Sequence, residues 1–337
     1  MRTPNYMSPT SLKLFESDKD AFYMRYLADN RPPREPQTTA MAAGSAFDAY
    51  CKSFIHYRLF GNYGPDNRYE PDAIFEAQVE PHVRDWARVN GRRLFDLYKK
   101  SGALSDLMLE LNTSVNAPRF EFDIQDTIQG NTGSVPLLGK PDIFFINDQG
   151  CRILLDWKVN GYCNHNKMTS PEQGYVMCRD SWLPSERKSS PRNRLPHKDC
   201  SPTMFRGIKI NSRIMMEKVN NDWANQTTTY AWLLGEEIGS DGLVVGIEQL
   251  CGVPHNHPDT QLVRVASHRC RVSNDFQINL HQRYVHAWEL IKSGNIFPEL
   301  GQATGLEHQA DLDRMADALA NAAPDSFEAA SYRMAKR

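Results

Sequence analysis

The chain lacks any apolar run approaching the ~20 residues that a membrane-spanning helix needs, so no bilayer span is expected. It also lacks a C-x-x-C pair. Its cysteines stand singly at 51, 151, 163, 178, 200, 251 and 270. An odd, scattered set fits reduced thiols better than a disulfide framework or a structural zinc site. There is no excess of positive charge: 39 Lys and Arg face 41 Asp and Glu, for a formal net charge of −2. Contact with a polyanion would therefore have to come from a local patch. No G-x-x-x-x-G-K-[ST] stretch is present, which leaves the chain without the phosphate loop of a nucleotide-driven motor. The opening residues, MRTPNYMSPTS, carry no apolar signal core, so a cytoplasmic location is expected.

What is present is ordinary globular material: 337 residues, 40% hydrophobic and 24% charged, enough to bury a substantial core. Apolar spacing predicts amphipathic helices over Ser11 to Leu27 and Ala40 to Tyr57, and mostly helix over Asp72 to Leu111. The small residues Ala42, Ala43, Gly44 and Ser45 predict a close helix approach. Strand character begins at Arg119 with RFEFDIQ and continues through VPLLGKPDIFFI and CRILLDWKV. The last two runs are separated by Asn147-Asp148-Gln149-Gly150, a good hairpin turn. Asn160 to Met216 reads as irregular. Its centre, PSERKSSPRNRLPHK, carries five Lys and Arg against one Glu, as an exposed loop would. Helix returns over Val219 to Glu237, strands over GLVVGIEQL and QLVRVASHR, and helix over Asn274 to Ser293, with a short helix in the tail from Leu306. His255-Asn256-His257, flanked by Pro254 and Pro258, reads as a loop rather than a chelate. The order predicts an α/β domain with a helical N-terminal region.

The chemistry concentrates on two short stretches. Residues two apart on a strand face the same side, so Asp156 and Lys158 point together while Trp157 points away. The hairpin through 147–150 brings Asp142 to the same end. Two carboxylates meeting there repel, and a hard divalent cation such as Mg²⁺ relieves that repulsion. Lys158 beside the ion can position or deprotonate a water, or stabilise charge developing on a phosphate. An exposed strand end is expected for both Asp156 and Lys158. The plain alternative is a surface ion pair worth ~0–1 kcal/mol.

Gly139-Lys140-Pro141-Asp142 followed by Asp156-Trp157-Lys158 resembles the signature of the PD-(D/E)XK nucleases. The Leu-Asp-Trp-Lys form is most similar to their RecB-like exonuclease branch. That branch carries a downstream Gln-x-x-x-Tyr, supplied here by Gln226 and Tyr230, which four-residue spacing places on one helix face. Upstream, PTSLKLFESDKDAFYMRYL resembles the family's first helix. Gly44-Ser45-Ala46-Phe47-Asp48 resembles its next motif, with Asp48 where relatives place a metal-binding His. Glu121 is a further carboxylate, either near the metal or an exposed strand charge.

The resemblance implies a restriction-endonuclease-like α/β/α core with a mixed central sheet, built as one domain over 1–337. Within it lie a helical part over 1–115, a catalytic core over 116–300 with an insertion over 160–216, and a tail over 301–337. It implies a DNA exonuclease using Mg²⁺ or Mn²⁺, held by Asp48, Asp142, Asp156 and the Val159 main-chain carbonyl. Lys158 would orient the water, and Gln226 and Tyr230 would hold the strand. Arg187, Lys188, Arg192 and Arg194 of the insertion would track DNA. No cysteine follows Cys270, so no iron–sulfur cluster is expected. Expected partners are DNA and a recombinase, single-strand-annealing protein or helicase, with no membrane. The setting would be recombination, repair or end processing, in the host cytoplasm if the chain is phage-encoded. The competing readings are a structure-selective endonuclease with the same site and a non-catalytic DNA-end-binding protein.

Overall fold

The computed structural model describes residues 2–160, 202–212, 214–252, 263–297 and 302–321. Helices α1 (Pro9–Ser17), α2 (Lys19–Phe22), α3 (Thr39–Phe60), α4 (Pro71–Gln78), α5 (Arg84–Lys100) and α6 (Ala103–Leu111) come first. Strands β1 (Arg119–Phe120), β2 (Ile124–Gly130), β3 (Gly133–Gly139), β4 (Ile143–Ile146), β5 (Arg152–Asn160), β6 (Pro202–Phe205) and β7 (Ile208–Asn211) follow. Then come α7 (Met216–Val219), α8 (Asn221–Leu233), β8 (Val244–Gly252), β9 (Val263–Arg271), α9 (Asn274–Ser293) and α10 (Gln302–Asn321).

Local chemistry sets most helix ends. Ser8 and Ser11 form a reciprocal capping box, and Pro9 stands in the first turn of α1. Asp18 then ends α1 in extended backbone while its side chain caps α2 at Ala21. The expected single helix over 11–27 is therefore interrupted at Asp18, and residues 23–27 form a wide turn of π geometry. Left-handed glycines, Gly61 and Gly294, close α3 and α9.

A seven-stranded mixed sheet, in the order β1-β4-β5-β8-β9-β7-β6, forms the centre, and β2 and β3 make a separate two-stranded ribbon. β5 pairs parallel with β8, so the crossover between them carries β6, β7, α7 and α8. The helices lie on both faces, giving an α/β/α arrangement with a helical N-terminal region. On one face Trp157 meets Phe47 of α3 edge-on. On the other α8 packs against the sheet through Trp223, Ala224 and Ala231, and against the ribbon, α1 and α9 through Trp232 and Leu233.

Several expectations need correction. VPLLGKPDIFFI is not one strand: Gly139 ends the ribbon strand β3, while Ile143 starts β4 in the central sheet. RFEFDIQ is likewise broken, because Glu121 adopts a left-handed backbone with φ 38°. The stretch from 160 to 216 is not wholly irregular. Its described end folds into the β6–β7 hairpin, turned by Arg206 and Gly207, both at positive φ. The tail helix begins before Leu306 and runs for 20 residues. His255-Asn256-His257 lies outside the described residues.

The face opposite α8 buries an ion-paired cluster. Arg269 donates to Glu248 at 2.8 Å and to Glu110 at 3.1 Å, tying α6 to β8 and β9. The guanidinium crosses Gly246, where a Cβ would stand 3.1 Å from Arg269 Cδ. Breaking such a pair from one side strands a buried charge.

α3 approaches α5 closely, but at Ala46, the residue after the 42–45 run expected to do so. Ala42, Ala43 and Ala46 are fully buried. A Cβ at Gly91 would collide with that of Ala46 and stand 3.0 Å from its carbonyl carbon. Gly91→Ala gains helix propensity but forces the helices apart, so a net loss of ~1–3 kcal/mol in urea unfolding is expected.

Candidate active site

The site forms where the Pro141-Asp142 turn, the far half of β5, the buried side of α3 and the middle of α8 converge. The β4–β5 register pairs Ile143 with Leu155, which sets Asp142 beside Asp156. Asp142 Oδ2 accepts the Trp157 main-chain N–H at 3.0 Å, fixing its orientation. Asp156 and Lys158 form an ion pair, as two residues on one face of a strand can. Across β5, Trp157 joins the core with Phe47. Neither group sits at an open strand end as expected. Asp156 is buried, 3% exposed, because β5 continues to Asn160 and α8 lies over it. The Lys158 side chain is 25% exposed.

From α8, Gln226 Nε2 donates to Asp156 Oδ1 at 3.3 Å and to the Tyr230 hydroxyl at 3.0 Å. Gly139 makes room for Tyr230: a Cβ there would stand 2.6 Å from the ring's Cδ1. The glycine of the Gly-Lys-Pro-Asp stretch thus serves a close packing contact between the turn and α8.

From α3, Asp48 reaches the same region, but its nearest cation is Lys52, one helical turn on. Lys52 is 1% exposed. Its ammonium contacts Asp48 Oδ2 at 2.6 Å, Glu121 Oε2 at 3.1 Å and Asp142 Oδ1 at 3.2 Å. Gln78, the last residue of α4, braces two of these carboxylates, donating to Asp48 Oδ2 at 3.0 Å and Glu121 Oε2 at 2.8 Å. The left-handed backbone of Glu121 is strain of the kind found at functional sites. Its second oxygen takes Lys140 at 2.8 Å. Glu121 is therefore part of the cluster and not an isolated strand charge.

The electrostatics follow from crowding. Burial, reinforced by Asp142, pushes the Asp156 carboxyl up to about 7. Burial also raises Asp48 to about 7, against the pull of Lys52. Burial would raise Asp142 too, but the Lys52 and Lys158 charges and the Trp157 N–H outweigh it and hold it below the usual carboxylate range. Glu121 is lowered because Lys52 and Lys140 overcome its burial. Burial works against the charge on Lys52, yet three carboxylates keep its pKa well above the ordinary lysine value. Lys158 is also raised, Asp156 outweighing burial, so it stays an ammonium at neutral pH. Burial lifts the Tyr230 phenol to about 12.

Sequence reasoning missed Lys52 and Gln78. The signal for Lys52 was its position four residues after Asp48, which puts the two on one helix face. Gln78 left no such signal, since α4 reaches the cluster only in the fold. Among the described residues, no three His, Cys, Asp or Glu side chains stand as a ready-made ligand set. Lys52 and Lys158 stand among the carboxylates instead. One Asp48 oxygen, Oδ1, is buried without a hydrogen-bond partner. The hard-oxygen donors and that unpaired atom fit a divalent ion such as Mg²⁺. Arg187, Lys188, Arg192 and Arg194 lie outside the described residues, and Val159 follows Lys158 on β5.

No protein family's sequence profile matches the chain, and no curated protein matches it. Among similar solved structures is one titled "Crystal structure of SSO0001", 10% identical, covering 82% of this chain and 84% of that one, with a TM-score of 0.26. So loose a superposition carries no argument. Among the described residues no helix is long and apolar enough to cross a membrane.

The raised carboxyls make metal-free stability pH-dependent. Asp48 and Asp156 hold protons in the folded chain that the unfolded chain releases near pH ~4. Their contribution is present below that value and is lost as pH climbs to about 7. In chelator-treated protein unfolded chemically between pH 5 and 8, the wild type is expected to lose stability more steeply than Asp156→Asn. Each proton contributes up to about 1.4 kcal/mol per pH unit. Parallel pH profiles would show that Asp156 does not titrate in this window.

Proposed function

We propose that the chain is a Mg²⁺-dependent deoxyribonuclease, an exonuclease acting in DNA recombination, repair or end processing. The observation that carries this reading is the convergence of Asp142, at the start of β4, with Asp156 and Lys158 along β5, and of Gln226 and Tyr230 brought to the same point from α8. The resemblance of these five residues to the RecB-like nucleases supports it further.

In this reading Asp142, Asp156, the free oxygen of Asp48 and the Val159 carbonyl hold the ion. When bound, the ion lowers the pKa of a water and polarises the phosphate. The chain's own groups do the rest. Lys158, an ammonium at neutral pH, donates hydrogen bonds: it orients the attacking water and stabilises charge on the phosphodiester. Tyr230, its phenol protonated, also acts as a donor. Gln226 exchanges its Asp156 contact for the DNA strand and holds it beside the carboxylates. Asp142, fixed by the Trp157 N–H, keeps its orientation throughout.

Digestion of end-labelled linear duplex and single strands against a closed circle, with and without Mg²⁺, tests the activity. Degradation of linear DNA only, and only with Mg²⁺, is expected. Lys158→Ala is expected to lower the rate ~10³-fold or more while the circular-dichroism spectrum is retained. Near-wild-type turnover in that folded variant would sink the mechanism. Asp156 is buried, so Asp156→Asn is the variant to use there instead of alanine.

The basic insertion supplies the sequence's densest positive segment, and we assign it DNA tracking. Neutralising Arg187, Lys188, Arg192 and Arg194 together is expected to raise the DNA dissociation constant. It should also flatten the salt dependence by roughly one slope unit per lost phosphate contact. Cleavage of saturating substrate should change far less. An unchanged salt slope would leave the insertion without that role.

A further inference from the structure

We propose that Lys52 is a resident cation of the site, its ammonium filling the place a second divalent ion would take, so that the chain loads one divalent ion. This rests on the metal-dependent reading above and narrows it.

The geometry comes first. An ammonium has three donors and no acceptor. Those of Lys52 meet three different carboxylates, Asp48, Glu121 and Asp142, at 2.6, 3.1 and 3.2 Å. A Mg²⁺ bound to the same three oxygens would need them at roughly 2.0–2.1 Å, in the volume the ammonium already fills. The lysine has no solvated alternative position at hand, since its side chain is only 1% exposed on the inner side of α3. The carboxylates are also held in place independently of it. Gln78 bridges Asp48 and Glu121, the Trp157 N–H holds Asp142, and Lys140 holds the outer oxygen of Glu121.

The charge count agrees. In the deprotonated state that metal binding requires, Asp48, Glu121, Asp142 and Asp156 bring four negative charges, and the buried Lys52 together with Lys158 brings two positive ones. The difference, −4 + 2 = −2, is that of one divalent ion. A second ion would leave the pocket with an excess of +2, which is costly where little water can screen it. Lys140, with its side chain 53% exposed, sits on the solvent side and is screened. One oxygen of Asp48 holds Lys52 and the other is unpaired, so a single carboxylate can serve both cations.

Mn²⁺ serves as the probe, because electron paramagnetic resonance of the free ion counts what is bound independently of activity. Full-length wild type titrated with Mn²⁺ alone is expected to bind one ion per chain. Lys52→Met, which keeps the volume and removes the charge, is expected to bind two. Should the variant fold only when metal is present, it is purified in Mn²⁺, desalted and assayed for manganese per chain, with the same expected count. Two ions in the wild type, or one in Lys52→Met, would overturn the role given to Lys52 and leave the metal-dependent reading standing. No bound ion in the folded wild type would overturn both.

Discussion

Like-charge repulsion among four carboxylates is the constraint on which the rest of this structure depends. Asp48 comes from a helix, Glu121 from a strained turn, Asp142 from a proline turn and Asp156 from a central strand. Bringing them together out of water has no favourable term of its own. The ammonium groups of Lys52 and Lys158, the side-chain amides of Gln78 and Gln226 and the Trp157 main-chain N–H compensate it. Each of these needs an element held in place. Lys52 requires α3 pressed onto the sheet, and Gly44 of α3 is the small residue that faces Val159 of β5 there. Gln78 requires α4 to end at the cluster. The fold is arranged so that compensation arrives from four directions.

The parts of this arrangement legible in the sequence are those set by neighbours along the chain. The two-residue period of β5 and the Asn-Asp-Gln-Gly turn were enough to place Asp142, Asp156 and Lys158 together and to send Trp157 the other way. The four-residue spacing on α8 was enough to pair Gln226 with Tyr230. The same spacing on α3 joined Asp48 to Lys52. That pairing is inconspicuous in the sequence because a lysine in the middle of a helix ordinarily lies on the solvated face.

What escaped the sequence is non-local. VPLLGKPDIFFI is apolar on both sides of its Lys-Pro-Asp break, so nothing in composition separates a ribbon strand from a sheet strand. The division exists only because β3 finds β2 and β4 finds β1 and β5. The burial of Asp156 depends on α8 returning from seventy positions along the chain. The β6–β7 hairpin did carry a local signal, the Arg206-Gly207 turn, but its short strands adjoin a long polar segment that masked it.

Gly139 has one further consequence. It is the last residue of the ribbon, it lies against the ring of Tyr230, and only Lys140 and Pro141 separate it from Asp142. The free edge of that same strand, β3, is gripped by the start of the chain, where Met7 donates to Pro136 O and accepts from Leu138 N. Proline allows little play in the two-residue connection. The N-terminal segment, the ribbon and the Asp142 turn are thus linked in series, like a lever whose short arm ends in a carboxylate. A tilt of the ribbon would load the Asp142 turn, which the Trp157 N–H and the β4–β5 register hold against it, although the ribbon contributes no side chain to the cluster.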